Sequence, residues 1–121
     1  MKPTQQLHEL SQSLWLDNLT RSMLRTGTLQ RYIDEFSVTG LTSNPSIFEN
    51  AIRTSSDYVA SIREKLAAGL TGEELFLELA LEDVTAAADL FAPIHRATNR
   101  IDGWVSIEVS PKLAYDTEGT P

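Results

Sequence analysis

The chain has 121 residues, of which 41% are hydrophobic and 22% are charged, a composition typical of one domain with a buried core. Seventeen acidic residues against ten basic ones give a net charge of -7, which disfavours a nucleic-acid or anionic-membrane surface because such surfaces need positive charge. The sequence has no cysteine, which excludes disulfide scaffolds, thiol catalysis and cysteine-ligated metal sites.

Three short runs rich in Trp, Val, Ile, Leu and Thr, each bounded by Asn, Asp, Gly or Pro, predict three strands. These runs cover residues 13–17, 38–44 and 104–109. A weak pattern over residues 4–10 predicts a short helix before the first strand. Between the first two strands, Gly27 is expected to end one helical stretch, and the apolar spacing over residues 28–36 predicts a second helix that packs on a sheet.

Capping signals mark the helices between the second and third strands. Asn44 followed by Pro45 is typical of a helix N-cap with proline in the first turn. Residues 54–57 and 71–74 both fit capping boxes. The helix expected after residue 71 is the longest, because apolar side chains recur along it in steps of three and four. Pro93 falls inside this pattern and is expected to kink or end the helix near Ala92.

Strands that alternate with helices predict a parallel sheet, because a parallel crossover is long enough to carry a helix. The fold class is therefore α/β, either an open doubly wound sheet or part of a (β/α)8 barrel. No glycine-rich phosphate loop follows any predicted strand, so the nucleotide-binding form of the open sheet lacks its usual signature.

Membrane insertion and a histidine-rich metal site are also disfavoured. No apolar run approaches the roughly 20 residues of a membrane span, and the first ten residues are too polar for a signal peptide. The two histidines, His8 and His95, are far apart in the sequence, and we expect surface or capping roles for both. We therefore expect a cytoplasmic protein without a metal ion.

Each predicted strand ends, or nearly ends, in a polar side chain: Asp17, Asn44 and Glu108. In a barrel the carboxyl ends of the strands meet at one face, where active sites of this architecture lie. Two carboxylates and an amide there could bind a polyol and transfer protons. Plain helix-capping or turn roles remain alternatives for Asp17 and Asn44.

Glu108 has a stronger functional interpretation than the other two, because it lies within the apolar run 105–109. A buried carboxylate is costly unless it is paired, so a partner or a function is expected for it. By contrast, we expect an acidic group on the longest helix to form a solvated face. This group comprises Glu73, Glu74, Glu78, Glu82 and Asp83.

Several of these segments together resemble transaldolase. Three of them are Ser-Leu-Trp-Leu-Asp-Asn at 13–18, Gly-Leu-Thr-Ser-Asn-Pro-Ser at 40–46 and Gly-Trp-Val-Ser-Ile-Glu-Val-Ser at 103–110. The Thr-Ser-Asn-Pro-Ser and Val-Ser-Ile-Glu-Val motifs within the last two are specific when they occur together in this order and spacing. Residues 27–33 and 79–83 resemble the longer bacterial transaldolases, including forms fused to a glucose-6-phosphate isomerase. The similarity covers essentially the whole chain and is that of the N-terminal portion of the family's sequence.

The resemblance implies a (β/α)8 barrel of the pentose phosphate pathway that transfers a dihydroxyacetone unit from a ketose phosphate to an aldose phosphate. The ketose would be sedoheptulose 7-phosphate or fructose 6-phosphate, held as a Schiff base on a lysine, with no metal or organic cofactor. By similarity, Asp17 and Glu108 are expected to be catalytic, as proton carrier and as promoter of the water steps. Asn44 and Thr42 are expected to bind substrate.

One departure from the family is large. The Schiff-base lysine belongs on a fourth strand, and the lysines of this sequence, Lys2, Lys65 and Lys112, lie on no predicted strand. A barrel of this type takes about 250 residues. We therefore expect residues 1–121 to form an incomplete barrel, truncated after the third strand and inactive alone.

Two alternatives to this interpretation remain. A short non-catalytic α/β binding module is one of them, and a related small aldolase of the same barrel superfamily is another. The oligomeric state is also open, with a homo-oligomer admitted for the full-length protein. Sugar phosphates are the expected partners, and neither nucleic acid nor membrane is expected.

Overall fold

The computed structural model describes residues 1–121, which form six α-helices and three strands, with one or more helices before each strand. The elements are α1 (Pro3–Glu9), β1 (Leu14–Leu16), α2 (Arg21–Arg25), α3 (Thr28–Phe36), β2 (Val38–Thr42), α4 (Pro45–Thr54), α5 (Val59–Ala67), α6 (Gly72–Ala97) and β3 (Trp104–Ser106), with short 3-10 helices at Ser56–Tyr58 and Pro111–Leu113. None of the helices combines the length and the apolar character that a membrane span requires.

The three strands form one parallel sheet in the order β1-β2-β3. Leu16 pairs with Leu41 and Leu41 with Val105, so the strands are in register near their carboxyl ends. All three predicted strands are present, although each is shorter than the sequence pattern. The predicted α/β class is confirmed, and this sheet with its crossover helices is consistent with the N-terminal part of a (β/α)8 barrel.

The two faces of the sheet have different environments. Leu14, Leu16 and Val105 pack towards the helices against the larger hydrophobic cluster. Because side chains alternate along a strand, Trp15 and Trp104 lie on the opposite face. Trp15 and Trp104 are 40% and 51% exposed on that face, and the Trp104 ring packs edge-on against His95 of α6.

Glycine at position 40 is required by the packing on this second face. Gly40 lies between Trp15 and Trp104 in the register of the sheet. A Cβ added at Gly40 would come within 2.3 Å of the Trp15 ring. The indole therefore covers the backbone of β2, and any larger residue at position 40 would displace it.

Helix α3 covers the predicted residues 28–36, and Gly27 precedes it in the left-handed conformation with φ of 77°. The longest helix, α6, does not end near Ala92 but continues through Pro93 to Ala97. The physical reason is packing, because Phe91 is fully buried and Ile94 contacts the same cluster, so the turn around Pro93 stays on the core. Proline there removes only one backbone hydrogen bond.

The two predicted capping boxes have different outcomes. Thr71 is the N-cap of α6, but its side chain makes no capping hydrogen bond, so that capping box is not formed. In the earlier motif, the Ser55 hydroxyl accepts a hydrogen bond from the backbone N–H of Asp57 and caps the 3-10 helix Ser56–Tyr58. Helix α5 then begins directly at Val59.

Two hydrophobic clusters form the core. The larger one lies between the sheet, α3 and α6, and its buried members include Leu29, Leu41 and Phe91. The smaller one joins α4, the 3-10 helix and α6, and is formed by the buried residues Phe48, Tyr58, Leu79 and Ala80. The carboxyl ends of β2 and β3 lie above this second cluster, since Ile107 packs against it.

Candidate active site at the carboxyl edge of the sheet

The structure places the four candidate residues of the sequence at one edge of the sheet. Asp17 follows β1 directly, Thr42 ends β2, and Asn44 and Glu108 lie two residues beyond β2 and β3. The strands are parallel, so their carboxyl ends point the same way. We call this region the carboxyl edge.

Asn44 caps α4, as its position before Pro45 indicated. Its Oδ1 accepts hydrogen bonds from the backbone N–H groups of Ser46, at 3.1 Å, and Ile47, at 3.3 Å. The side-chain NH2 group makes no hydrogen bond within the chain. The capping interpretation is therefore confirmed, and the same residue still has two N–H donors that a bound hydroxyl group could accept.

Asp17 is exposed and does not cap a helix. The N-cap of α2 is Thr20, whose Oγ1 accepts from the Met23 N–H at 3.4 Å, so the capping alternative for Asp17 is wrong. Asp17 opens a four-residue connection between β1 and α2, in which Leu19 is buried in the larger cluster. The carboxylate itself forms no hydrogen bond or ion pair within the chain.

Glu108 is also exposed, and the prediction that it is buried in a strand is wrong. Strand β3 ends at Ser106, and Val109 in the same apolar run is 50% exposed. The backbone is still held at this point, because the Ser43 N–H donates to the Ser106 carbonyl at 3.1 Å and the Glu108 N–H donates to the Ser43 hydroxyl at 3.4 Å. These bonds tie the end of β3 to the end of β2 and leave the Glu108 carboxylate in solvent.

A small apolar cavity of about 40 Å3 lies beneath Asn44 and Glu108. Its walls come mainly from the smaller hydrophobic cluster, with Phe48, Phe76 and Ile107 among them. The volume is far below the roughly 300 Å3 of a typical small-molecule pocket. This cavity is therefore too small to hold a sugar-sized ligand.

Comparison with known proteins gives the family. The model of the family described as Transaldolase/Fructose-6-phosphate aldolase matches residues 14–121. The chain belongs to this family. The transaldolase of Arthrobacter sp. (strain FB24) is 54% identical over 118 residues, which are 98% of this chain and 32% of that protein.

Other curated transaldolases also match nearly the whole of this chain with about a third of their own length. The one from Thiobacillus denitrificans is 44% identical over 99% of this chain and 33% of its own length, and transaldolase 2 of Nostoc punctiforme is 41% identical over 95% and 30%. The chain thus spans about a third of the length of the curated relatives that it matches. The earlier resemblance to transaldolase is confirmed.

No lysine of this transaldolase-family chain lies on a strand. Lys2 precedes α1, Lys112 lies in the last 3-10 helix, and Lys65 lies on α5. Lys65 is engaged in an ion pair, with its Nζ at 2.6 Å from Glu82 Oε1. Hydrogen bonding to Glu82 raises the pKa of Lys65, which keeps its amine protonated and unsuited to attack a carbonyl.

A buried polar cluster, not predicted from the sequence, lies beside the carboxyl edge and is formed by Arg21, Tyr58 and Asp83. Arg21 Nε donates to Asp83 Oδ1 at 2.8 Å, and the Tyr58 hydroxyl donates to Asp83 Oδ2 at 2.7 Å. Asp83 is only 2% exposed. The expectation that it belongs to a solvated face is wrong, and the available signal was its place four residues from both Leu79 and Ala87, on the buried stripe of α6.

The Arg21 guanidinium makes two further hydrogen bonds at the edge of this cluster. It donates from Nη1 to the Ser61 hydroxyl and from Nη2 to Glu82 Oε2, both at 2.7 Å, and it stacks on the Tyr58 ring. Burial opposes the charge, but hydrogen bonds to Asp83 and Glu82 raise the pKa of Arg21. Burial also disfavours the Glu82 carboxylate, yet hydrogen bonds from Lys65 and Arg21 lower the pKa of Glu82.

Burial raises the pKa of Tyr58, and the hydrogen bond that its hydroxyl donates to Asp83 raises it further. The phenol therefore stays protonated at neutral pH. A protonated hydroxyl can donate to Asp83 and at the same time accept the backbone N–H of Arg21, which lies 2.8 Å away. This N–H belongs to the first turn of α2 and has no partner within the helix.

A second buried carboxylate lies at the opposite, amino edge of the sheet. Asp102, 6% exposed, accepts one hydrogen bond from the Ser13 hydroxyl and faces His8 Nε2 at 3.4 Å. His95 Nδ1 contacts the backbone carbonyl of Asp102 at 3.0 Å. These contacts join α1, β1 and the end of α6 at the start of β3, away from the candidate site.

Proposed function

We propose that this chain is part of a transaldolase, which transfers a dihydroxyacetone unit from a ketose phosphate to an aldose phosphate. The proposed donor is sedoheptulose 7-phosphate or fructose 6-phosphate, and sugar phosphates are the proposed partners. The family match over residues 14–121 carries the proposal, and the position of Asp17, Thr42, Asn44 and Glu108 at the ends of parallel strands supports it.

The exposed carboxylates suit proton transfer in this reaction. Asp17 would take the proton from the hydroxyl group at the carbon whose bond is cleaved and would return it when the acceptor adds. Glu108 would assist the water steps of imine formation and hydrolysis. Asn44 would donate its free N–H groups to the dihydroxyacetone hydroxyls, and Thr42 would line the same edge.

Cleavage of the carbon–carbon bond needs an electron sink. A protonated imine between the ketose carbonyl and a lysine would supply it, because the electron pair of the broken bond delocalises onto nitrogen. We propose that this lysine lies outside residues 1–121, since Lys65 is ion-paired and Lys2 and Lys112 are not on strands. The 121 residues would then form an incomplete barrel domain and be inactive alone.

Aldol cleavage without an acceptor is a second candidate function. The matching family is described by two activities, transaldolase and fructose-6-phosphate aldolase. Both would use the same carboxyl edge. They differ in whether the three-carbon unit is transferred to an aldose phosphate or released to water.

The test is an activity assay on the gene product that carries these residues, after its intact mass has been measured, and on residues 1–121 alone. Each protein receives fructose 6-phosphate with and without an aldose phosphate acceptor, and borohydride traps any imine. We expect transfer only with the acceptor, and only from the gene product. Release of dihydroxyacetone without acceptor would indicate the aldolase.

Two other outcomes would overturn the proposal. Turnover by residues 1–121 alone would contradict the predicted inactivity. A gene product of 121 residues that melts cooperatively, forms a monodisperse species and turns over neither substrate mixture would indicate a non-catalytic α/β binding module.

A further inference from the structure

The polar cluster of Arg21, Tyr58 and Asp83 is a closed ring of hydrogen bonds. The Arg21 backbone N–H donates to the Tyr58 hydroxyl, and that hydroxyl donates to Asp83 Oδ2. Arg21 Nε donates to the other carboxylate oxygen, Asp83 Oδ1, and closes the ring. One residue, Arg21, is therefore held by both its backbone and its side chain. The other two come from the 3-10 helix and from α6.

This ring lies at one end of the segment that carries Asp17. The β1–α2 connection has four residues, begins with Asp17 and is followed directly by Arg21. Its other end is fixed by the pairing of Leu16 with Leu41 in the sheet. Asp17 has no side-chain partner of its own, so the position of its carboxylate depends on how firmly its backbone is held by these two ends and by the buried Leu19 between them.

Stability alone is a weak reason for such a ring. An arginine and an aspartate that are both largely buried lose their hydration, and apolar residues of similar size often stabilise as well or better. What the ring supplies instead is a single geometry, because the planar guanidinium and the two carboxylate oxygens fit in one arrangement.

We propose that Arg21, Tyr58 and Asp83 are positioning residues that hold Asp17 at the geometry required for proton transfer. This inference rests on the proposed transaldolase function. The ring does not touch substrate. It acts through the start of α2, and its loss lets the carboxylate move relative to the hydroxyl whose proton it takes.

The test uses Tyr58→Phe in the gene product that carries this chain. The substitution removes only the hydroxyl group. It keeps the aromatic side chain, which packs edge-on against Phe48 and lies under the Arg21 guanidinium. Tyr32→Phe is the matched control, because the Tyr32 hydroxyl makes no hydrogen bond within the chain and its ring also packs in a cluster. Turnover is expressed per chain that forms a borohydride-trapped imine, so unfolded chains are not counted.

We expect Tyr58→Phe to lower this normalised turnover about tenfold, since displacement of a reacting group by less than 1 Å is costly. The KM for the ketose phosphate and the trapped imine per folded chain should not change. Arg21→Lys, which keeps the charge but loses the planar guanidinium group, should also lower the normalised turnover. Tyr32→Phe should leave it within twofold of the parent protein.

One result would overturn the inference while leaving the proposed function intact, namely a normalised turnover of Tyr58→Phe equal to that of the parent protein. If imine and turnover both fall in parallel, the normalised turnover is also unchanged, and the ring would then have a structural role only. If the parent protein neither transfers the dihydroxyacetone unit nor forms an imine that borohydride traps, the proposed function fails and the positioning role fails with it.

Discussion

Asp17 and Asp83 are the same amino acid in two neighbouring parts of the molecule, and their surroundings differ in every respect. Asp17 is exposed at the carboxyl edge and has no partner, whereas Asp83 is 2% exposed and bonded to both Arg21 and Tyr58. A carboxylate whose oxygens are already occupied by protein donors cannot readily accept a further proton donor. Burial and pairing therefore indicate a structural role for Asp83, whereas the Asp17 carboxylate is free to accept a hydrogen bond from a bound molecule.

The largest expected effect tests the free carboxylate. Asp17→Asn in the gene product should lower transfer turnover by at least about 100-fold, because general acid–base catalysis contributes that much or more. The imine should still be trapped, and the melting temperature should not change, because Asp17 makes no contact that stabilises the fold. Kinetic assays and thermal melts of the same samples provide both measurements.

Asp89→Asn is the control for this substitution, because Asp89 is an exposed aspartate on α6 away from the carboxyl edge. Its turnover should match that of the parent protein. An unchanged rate in Asp17→Asn would refute the proton-transfer role of Asp17.

The next largest effect concerns the buried carboxylate. Asp83→Asn should lower the free energy of unfolding by about 3 kcal/mol, because it leaves the largely buried Arg21 without its closest counter-charge. Glu82→Gln is the matched substitution, since Glu82 binds the same guanidinium but its side chain is 38% exposed. It should lower the free energy of unfolding by less than about 1 kcal/mol.

Urea unfolding of the two variants beside the parent protein measures this difference. Equal costs for Asp83→Asn and Glu82→Gln would contradict the distinction between buried and exposed acids. A larger cost for Glu82→Gln would reverse it and place the main counter-charge of Arg21 at the surface.

The parts of the fold that the sequence predicts well are local ones. Helix 28–36 and its left-handed Gly27 agree with the structure, and so does the cap at Asn44, because periodicity and capping depend on residues within one or two turns. The three parallel strands follow from the same local patterns. The four candidate residues also lie at one edge, although their catalytic and binding roles are still predictions.

The errors of the sequence analysis concern burial, which depends on distant residues. Asp83 is buried because Arg21, 62 positions earlier in the chain, donates to it, and no pattern within α6 contains that partner. Glu108 is exposed because β3 pairs with β2 only as far as Ser106. An apolar run in the sequence does not determine where such pairing ends.

The smallest expected effect is a pH dependence that arises from the ring. Because burial raises the pKa of Tyr58 above its ordinary value of 10.0, the protonated phenol is favoured in the folded state. Its contribution to stability is fully present below pH 10 and is lost as the pH rises from 10 through the higher pKa of the folded protein. The free energy of unfolding should therefore fall by up to about 1.4 kcal/mol per pH unit from this group alone.

Urea unfolding of the parent protein and Tyr58→Phe between pH 8 and pH 11 isolates the contribution of Tyr58, because the two proteins are otherwise identical. The stability difference between them should shrink above pH 10. A difference that stays constant across this range would mean that the Tyr58 phenol ionises alike in the folded and unfolded states. The closed ring, with its hydroxyl held between Arg21 and Asp83, would then not describe the protein in solution.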